Sequence, residues 1–138
     1  MNTKTYTTLP QEAKDIRIEV FVKEQGFENE FDEIDTISHR IVAFDERKPI
    51  GTCRFFKEND HYTIGRVAVL KEYRNQHMGN LLLESAENEI KKLNGDLIVV
   101  HAQVRIHPFY EKQGYIQFSQ IDDDEGVPHM WMKKKIQY

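Results

Sequence analysis

The first apolar stripe of the chain repeats with the period of an α-helix. The helix is expected to begin after Thr8, because Thr8 and Gln11 have the spacing of a capping box. Gly26 is its natural end, since glycine readily adopts the backbone conformation that closes helices. The stripe comprises Ala13, Ile16, Val20 and Phe21.

The hydrophobic period then changes to that of strands. Three apolar runs, at residues 37–44, 50–57 and 62–70, are separated by short polar turns. Short strands joined in this way are typical of an antiparallel meander. The acidic stretch 28–35 that precedes them is expected to form a surface loop or a short helix.

The second half of the chain alternates helices and strands. A stripe of apolar residues with polar residues opposite predicts a helix over 78–93, and a short apolar run predicts a strand at 96–102 that is covered on both faces. A helix over 106–113 and a final strand pair at 115–118 and 129–136 follow. This order predicts an α/β domain of the α+β type around one central mixed sheet.

Composition places the chain among soluble globular proteins. It has 138 residues with 39% hydrophobic and 30% charged positions, which predicts a single domain spanning residues 1–138. The net charge of −4 disfavours a nucleic-acid partner, because such binders carry a basic face. Apolar runs are too short to span a bilayer, and the polar N-terminus has no signal-peptide core. We therefore predict a cytoplasmic protein without a membrane partner.

The cysteine and acidic residues give no sign of a metal site. Cys53 is the only cysteine, which excludes an internal disulfide and predicts a plain buried thiol. The acidic run 122–125 lacks the spaced ligands of a calcium loop, so a solvated turn is expected there.

Residues 65–90 carry the first pattern with a chemical implication. A strand leads to a polar turn, and the turn opens the long helix. The free N–H groups and positive dipole end of a helix N-terminus bind anions. Arg74 adds a charge suited to phosphate, and Gly79 allows close approach of a ligand. The same residues also fit a plain connection whose glycine eases packing.

A second segment, 108–115, places aromatic side chains on a short helix that ends at Gly114. Tyr110 in this helix fits core packing, because tyrosine often buries its ring and keeps its hydroxyl near water. It also fits a proton donor. The spacing alone leaves both interpretations open.

Together the two segments resemble the GNAT superfamily of N-acetyltransferases. The sequence VAVLKEYRNQHMGNLLL is similar to the pyrophosphate-binding motif of that family, with Arg74 and Gly79 at its first and last matched positions. The sequence FYEKQGY from Phe109 is similar to the family signature FYEKxGF. The resemblance covers about residues 15–136.

The front of the chain resembles a narrower branch of the family. The sequence RIEVFVKEQ from Arg17 is similar to the R..VF..EQ stretch of the ElaA/YjcF-like branch. The DEID sequence from Asp32, followed by His39, fits the same branch.

The resemblance implies a GNAT-like fold in which a twisted, mostly antiparallel sheet is flanked by helices and splayed strands hold acetyl-CoA. The backbone of Val67–Val69 would align the pantetheine arm like an added strand, and the following loop would hold the pyrophosphate. The implied cofactor-binding residues are Val67, Ala68, Val69, Arg74, Asn75, Gln76, His77, Met78, Gly79, Asn80, Gln103, Phe109 and Tyr110.

Asn75 and His77 depart from the family pattern, because glycine is common at these positions. A side chain at either position would crowd the pyrophosphate unless the loop turns it outward. Alternatively, the imidazole of His77 would donate a hydrogen bond to phosphate. Gln103 stands where many relatives carry an asparagine that contacts the cofactor.

The implied reaction is direct transfer of the acetyl group to a primary amine of a small molecule or peptide. An amine like that of lysine, with a pKa of about 10.4, is mostly protonated at neutral pH, so a base must take a proton from it. The N–H of Val69 is the expected oxyanion donor. Tyr110 would protonate the departing thiolate.

Glu24 is the candidate base, and with Tyr110 it completes the expected catalytic pair. Its plain interpretation is a solvated carboxylate at a helix end. Glu24, His39 and Arg54 are the candidate substrate residues. A hydrogen-bonded structural imidazole and a structural salt bridge are the alternatives for His39 and Arg54, and Arg54 also fits a pairing with Glu24.

Other residues and other functions stay open on the sequence alone. His101 and His107 flank Gln103, and either is placed to line the cleft. The rival function is a non-catalytic acetyl-CoA-binding or sensing module, and a homodimer is compatible with the family resemblance. A plain interaction domain without a cofactor is the third alternative.

Overall fold

A computed structural model of the protein describes residues 2–27, 31–74 and 76–137, and its main feature is one eight-stranded sheet. Its strands are β1 (Asn2–Tyr6), β2 (His39–Asp45), β3 (Lys48–Glu58), β4 (His61–Val69), β5 (Leu97–Gln103), β6 (Ile116–Gln117), β7 (Asp122–Asp124) and β8 (Val127–Lys135). They lie in the order β1-β2-β3-β4-β5-β8-β6, and β7 also pairs with β8.

Helices flank the sheet, as the sequence predicts. The helices are α1 (Gln11–Arg17), which continues as a π-helix over Ile18–Glu24, α2 (Met78–Lys92) and α3 (His107–Lys112). Short 3₁₀ helices occupy Glu33–Thr36, Lys71–Tyr73 and Val104–Ile106. The expected mixed fold, with a mostly antiparallel sheet, is confirmed. None of the helices in the described ranges is long and apolar enough to cross a membrane.

The hydrophobic stripes lie where their periodicity predicts. Leu82, Ala86 and Ile90 of α2 are fully buried against one face of the sheet. Ala13 and Ile16 of α1 are buried in a smaller cluster with residues of β2 and β4. Both faces of the central strands are therefore covered, and burial of this apolar surface stabilises the fold.

Two local expectations are wrong, and one strand is not predicted from the sequence. The N-cap of α1 is Pro10 and carries no side-chain cap hydrogen bond, so Thr8 and Gln11 do not form a capping box. The polar N-terminal segment forms β1, which pairs with β2 at the edge of the sheet. The acidic run 122–125 is not simply a solvated turn, because three of its residues form β7 and pair with β8.

The central strands separate halfway along their length. The strands β4 and β5 pair in parallel only from Tyr62–Ile64 to Ile98–Val100. Beyond Ile64 the pairing of β3 with β4 also shifts register, and Arg66 takes a positive φ of 51°. This combination marks a β-bulge, which bends β4 away from β5. The gap that opens there holds two clefts.

Candidate active site

Two clefts meet in the gap between β4 and β5. The first, here called the α2 cleft, has a volume of about 650 Å³ and lies between β4, the start of α2 and α3. The second, here called the β8 cleft, has a volume of about 440 Å³ and lies over β5, β7 and β8. Val67 and Ile106 line both clefts, so a molecule in one can reach a molecule in the other at this point.

The side of β4 that faces the gap is a free strand edge. Leu70 donates its backbone N–H to the carbonyl of Ile50 on the β3 side at 2.9 Å. Because successive N–H groups of a strand point to opposite sides, the N–H of Val69 points into the gap. Val67, Ala68 and Val69 all line the α2 cleft, so this edge is open to pairing with an extended ligand.

Arg74 lies in the α2 cleft and already has a carboxylate partner. Its guanidinium donates two hydrogen bonds to Glu24, of 2.6 and 2.8 Å, and a third from Nε to the carbonyl of Val69 at 3.0 Å. The hydrogen bond with Glu24 raises the pKa of Arg74, and the same bond lowers the pKa of Glu24. The arginine is therefore positioned by the protein before any anion arrives.

The start of α2 completes this side of the site. His77 occupies the N-cap with a left-handed backbone, φ 61°, and its side chain is exposed at the rim of the cleft. Glycine adopts this backbone conformation most easily, so the position of His77 would also suit glycine. A Cβ on Gly79 would lie 3.2 Å from the ring of Phe109, so this glycine lets α3 pack against α2.

Tyr110 lies at the base of the β8 cleft. It is 9% exposed and packs edge-on against Phe109 and Tyr115. Burial raises the pKa of Tyr110 above the ordinary value for a phenol, so the hydroxyl keeps its proton at neutral pH. The buried thiol expected at Cys53 is confirmed, and burial raises its pKa to about 12.

A group of titratable side chains lines the opposite wall of the β8 cleft. His101 of β5 stacks on Trp131 of β8, with ring centroids 4.5 Å apart, and lies beside His129 at 4.7 Å. Its Nε2 is 2.8 Å from a carboxylate oxygen of Asp122. Ligand atoms of His101, His129 and Asp124 lie within 4.8 Å of one another.

A network of ion pairs, of which Asp32, Arg54 and Arg66 line the β8 cleft, forms the third wall. Arg17 donates two hydrogen bonds to Asp35, of 2.7 and 3.1 Å, and Arg54 donates to both Asp35 and Asp32. Arg66 reaches Asp32 at 3.4 Å. Burial alone would raise the pKa of Asp35, but its hydrogen bonds, led by that from Arg17, lower it to about 2.

The structure separates the predicted cofactor residues between the two clefts. Gln103 and Tyr110 line the β8 cleft, and Gln103 donates to the side-chain oxygen of Gln25 at 2.9 Å. Asn75 lies outside the described residues, and Gln76 is exposed in the turn before α2. The α2 cleft brings together Val67, Ala68, Val69, Arg74, His77, Met78, Gly79, Asn80 and Phe109.

The structure argues against two of the predicted acceptor-side residues. Glu24 is held by Arg74 beside the α2 cleft, where the hydrogen bond from Arg74 lowers its pKa, and it does not line the β8 cleft. His39 stacks on Phe55, with ring centroids 4.9 Å apart, and lines neither cleft. Arg54 does line the β8 cleft, but its charge is paired with Asp32 and Asp35 rather than with Glu24.

Sequence reasoning missed His129 and assigned Asp122 only to a solvated acidic turn. Both depend on the β7–β8 hairpin, whose register sets Asp122 opposite His129 and brings His129 opposite Gln103 of β5. Neither residue lies in a local motif, so the available signal was the alternation of β8, which places His129 and Trp131 on the same face.

The fold of this chain is shared by solved structures of acyl-CoA N-acyltransferases. The crystal structure of ElaA from Escherichia coli superposes with a TM-score of 0.87 at 21% identity, covering 97% of this chain and 99% of that chain. An aminoglycoside 6'-N-acetyltransferase complexed with coenzyme A superposes with a TM-score of 0.77 at 14% identity, covering 98% and 97%. At these identities the likeness concerns the fold.

Sequence comparison adds the family. The protein-family model described as acetyltransferase (GNAT) domain matches residues 7–136 of the chain. The uncharacterized N-acetyltransferase YjcF of Bacillus subtilis is 34% identical over 122 residues, which cover 86% of this chain and 87% of YjcF. The chain therefore belongs to the GNAT acetyltransferase family, and its resemblance to the ElaA/YjcF-like branch is confirmed.

Proposed function

We propose that the protein is an acetyl-CoA-dependent N-acetyltransferase that acts on a primary amine of a small molecule or peptide. The observation that carries this proposal is the meeting of two clefts at Val67 and Ile106. One cleft offers a free strand edge and an arginine, and the other offers aromatic and titratable side chains. A direct transfer needs this arrangement, because donor and acceptor must be held side by side.

The hydrogen-bonding groups that line the α2 cleft suit the pantetheine arm and the pyrophosphate of acetyl-CoA. Val67–Val69 would hold the pantetheine arm through the strand edge that faces the gap. Arg74 and the N-terminus of α2 would hold the pyrophosphate, because a helix N-terminus and a guanidinium both favour phosphate. The bound thioester supplies the acetyl group. Arg74 would then exchange its carboxylate partner, Glu24, for the phosphate oxygens.

Two groups, one in each cleft, would assist the transfer. The N–H of Val69 points into the gap and would donate a hydrogen bond to the carbonyl oxygen as negative charge develops on it. Tyr110 would donate its hydroxyl proton to the sulfur as the C–S bond breaks. Its raised pKa supports this role, since the hydroxyl keeps its proton until a stronger base appears beside it.

The proposal is tested by binding and turnover together. Calorimetry should show acetyl-CoA binding, and release of the free thiol should follow when a panel of primary amines is added. Arg74→Ala is expected to weaken binding about tenfold or more, because it removes charge-assisted hydrogen bonds to phosphate. Arg47→Ala is the matched control, since Arg47 is exposed in the turn between β2 and β3.

The other outcomes decide between the remaining functions. Binding of acetyl-CoA without thiol release from any amine would favour a non-catalytic binding module. Absence of binding would favour an interaction domain. If Arg47→Ala and Arg74→Ala weaken binding equally, the placement of the pyrophosphate beside Arg74 is wrong.

A further inference from the structure

We propose that His101, held by Asp122, is the general base that takes the proton from the acceptor amine. This inference rests on the proposed function and assigns the one role that the placement of Glu24 leaves unfilled. Glu24 lies on the side of the α2 cleft, beside Arg74, and does not line the β8 cleft. His101 lines that cleft.

The sheet itself builds this pair. His101 lies directly opposite Trp131 in the pairing of β5 with β8, and Asp122 lies opposite His129 in the pairing of β7 with β8. Three neighbouring strands therefore bring the carboxylate of Asp122 to 2.8 Å from Nε2 of His101. Stacking on Trp131 fixes the plane of the imidazole. Ring stacking and the hydrogen bond to a carboxylate together hold the imidazole in one orientation, as an acid–base residue requires.

The hydrogen bond decides which nitrogen is basic. A carboxylate accepts, so Nε2 of His101 carries the hydrogen and Nδ1 keeps the lone pair. The same carboxylate stabilises the imidazolium that forms when Nδ1 gains a proton. His129 is also fixed by a hydrogen bond, from Nδ1 to the carbonyl of Val127 at 2.8 Å, but a neutral carbonyl gives it less support as a cation. Of the two histidines, His101 is therefore the one whose orientation is fixed by a carboxylate.

The proton balance of the step is simple. Nδ1 of His101 takes one proton from the ammonium form of the acceptor, which frees the nitrogen lone pair to attack the thioester carbonyl. As the C–N bond forms and the C–S bond breaks, Tyr110 gives its proton to sulfur and regains one from the acceptor nitrogen. His101 then releases its proton to water. The products are the acetylated amine, coenzyme A and one proton.

Two amines with different protonation test the assignment. Benzylamine is mostly protonated at neutral pH, whereas phenylhydrazine is mostly neutral and has little need of a base. In His101→Gln, kcat/KM for benzylamine should fall by about 10²–10⁴-fold, and the loss for phenylhydrazine should be much smaller. Equal losses for the two amines would overturn the role of His101 as base.

The chain contains a matched control pair outside both clefts. His61, the first residue of β4, lies 3.4 Å from Asp60 in the turn that precedes this strand. His61→Gln and Asp60→Asn should leave both rates unchanged. In all variants, calorimetric binding of acetyl-CoA should stay within about twofold of the parent protein. A loss of cofactor binding in His101→Gln would assign the residue to the α2 cleft instead.

A second measurement does not depend on turnover. Two-bond ¹H–¹⁵N spectra of the histidine side chains should show His101 as the neutral tautomer with hydrogen on Nε2, and Asp122→Asn should reduce that preference. Hydrogen on Nδ1 would overturn the proposal even if no amine is acetylated. If neither amine reacts but the tautomer is as expected, the two amines are not acceptors of this protein, and the pairing of His101 with Asp122 is still supported.

Metal binding is the competing outcome for the same side chains. His101, His129 and Asp124 could ligate zinc through atoms within 4.8 Å of one another. The same spectra recorded with added zinc would show a shift of both histidines on binding. Micromolar zinc binding, together with thiol release that requires zinc, would replace the base assignment with a metal site.

Discussion

Arg74 shows at the scale of one residue how a binding site is held ready before its ligand arrives. Its hydrogen bonds to Glu24 and Val69 fix the guanidinium at the edge of the α2 cleft. The carboxylate also competes with phosphate for the same N–H groups. Glu24 therefore both positions the arginine and opposes its proposed ligand.

We expect Glu24→Gln to bind acetyl-CoA more tightly, by up to about fivefold, because the exposed ion pair that must open is worth about 1 kcal/mol at most. Calorimetry would measure the change. Glu19→Gln is the control, since Glu19 forms a similar exposed pair with Lys23 one turn earlier. Weaker binding would show that positioning of Arg74 outweighs competition with phosphate, and a loss of kcat without a change in affinity would show that Glu24 assists the reaction instead.

Tyr110 is expected to act on the rate and not on cofactor affinity. Tyr110→Phe should lower kcat about 10- to 100-fold, near the low end for a general acid, because a thiolate with a pKa of about 8.5 is already a fair leaving group. Tyr115→Phe is the matched control. Its hydroxyl donates to Glu87 at 2.8 Å, so that variant should lose stability and keep its rate. Full activity of Tyr110→Phe would remove the residue from the mechanism.

The two ends of α2 show the cost of a left-handed backbone at the scale of one element. His77 at its start and Asn94 just after its end have φ values of 61° and 66°. Glycine adopts this conformation without the steric penalty of a Cβ. We expect His77→Gly and Asn94→Gly each to raise the free energy of unfolding by about 0.5–1 kcal/mol, as measured by urea denaturation.

The pair of variants also separates stability from binding. Only His77 lies at the α2 cleft, so only His77→Gly should change the affinity for acetyl-CoA. A parallel change in Asn94→Gly would mean that helix stability, and not the side chain of His77, controls binding. A decrease in affinity in His77→Gly alone would identify the imidazole as a donor to the ligand.

Elements with strong periodicity could be predicted from the sequence, and those fixed by tertiary contacts could not. The stripe of α2 and the three meander strands each carry their own signal. In contrast, β1 and β7 are polar edge segments, and each is a strand because a neighbour offers backbone hydrogen bonds. The π-helix Ile18–Glu24 likewise has no distinct pattern, since its apolar residues fit an α-helical stripe equally well.

The same distinction explains what could be predicted of the candidate site. The α2 cleft lies on one continuous strand–turn–helix segment, so a local motif indicates most of its residues. The β8 cleft is assembled from β4, β5, β7 and β8 together with the acidic segment that precedes β2. Pairs such as His101 and Asp122 are 21 residues apart in the chain and become neighbours only through the sheet.

At the scale of the whole molecule, Asp35 joins the first helix to the sheet. Its carboxylate is 8% exposed and accepts hydrogen bonds from Arg17 of α1 and Arg54 of β3. These partners lower its pKa to about 2 from an ordinary value of 3.8. A group whose pKa is lower in the folded state contributes stability at higher pH. That contribution is complete above about pH 4 and is lost as the pH falls toward 2.

Removing this charge should therefore destabilise the protein at neutral pH and change its response to acid. We expect Asp35→Asn to lose about 3–5 kcal/mol of unfolding free energy at pH 7, because Arg17 and Arg54 stay buried with an incomplete partner. Between pH 4 and 2 its stability should fall less steeply than that of the parent. Urea denaturation across this range measures both effects. Asp15→Asn, at an exposed position on α1, should change neither. Parallel pH profiles for the parent and Asp35→Asn would mean that another carboxylate, such as Asp32, carries the acid sensitivity of the network.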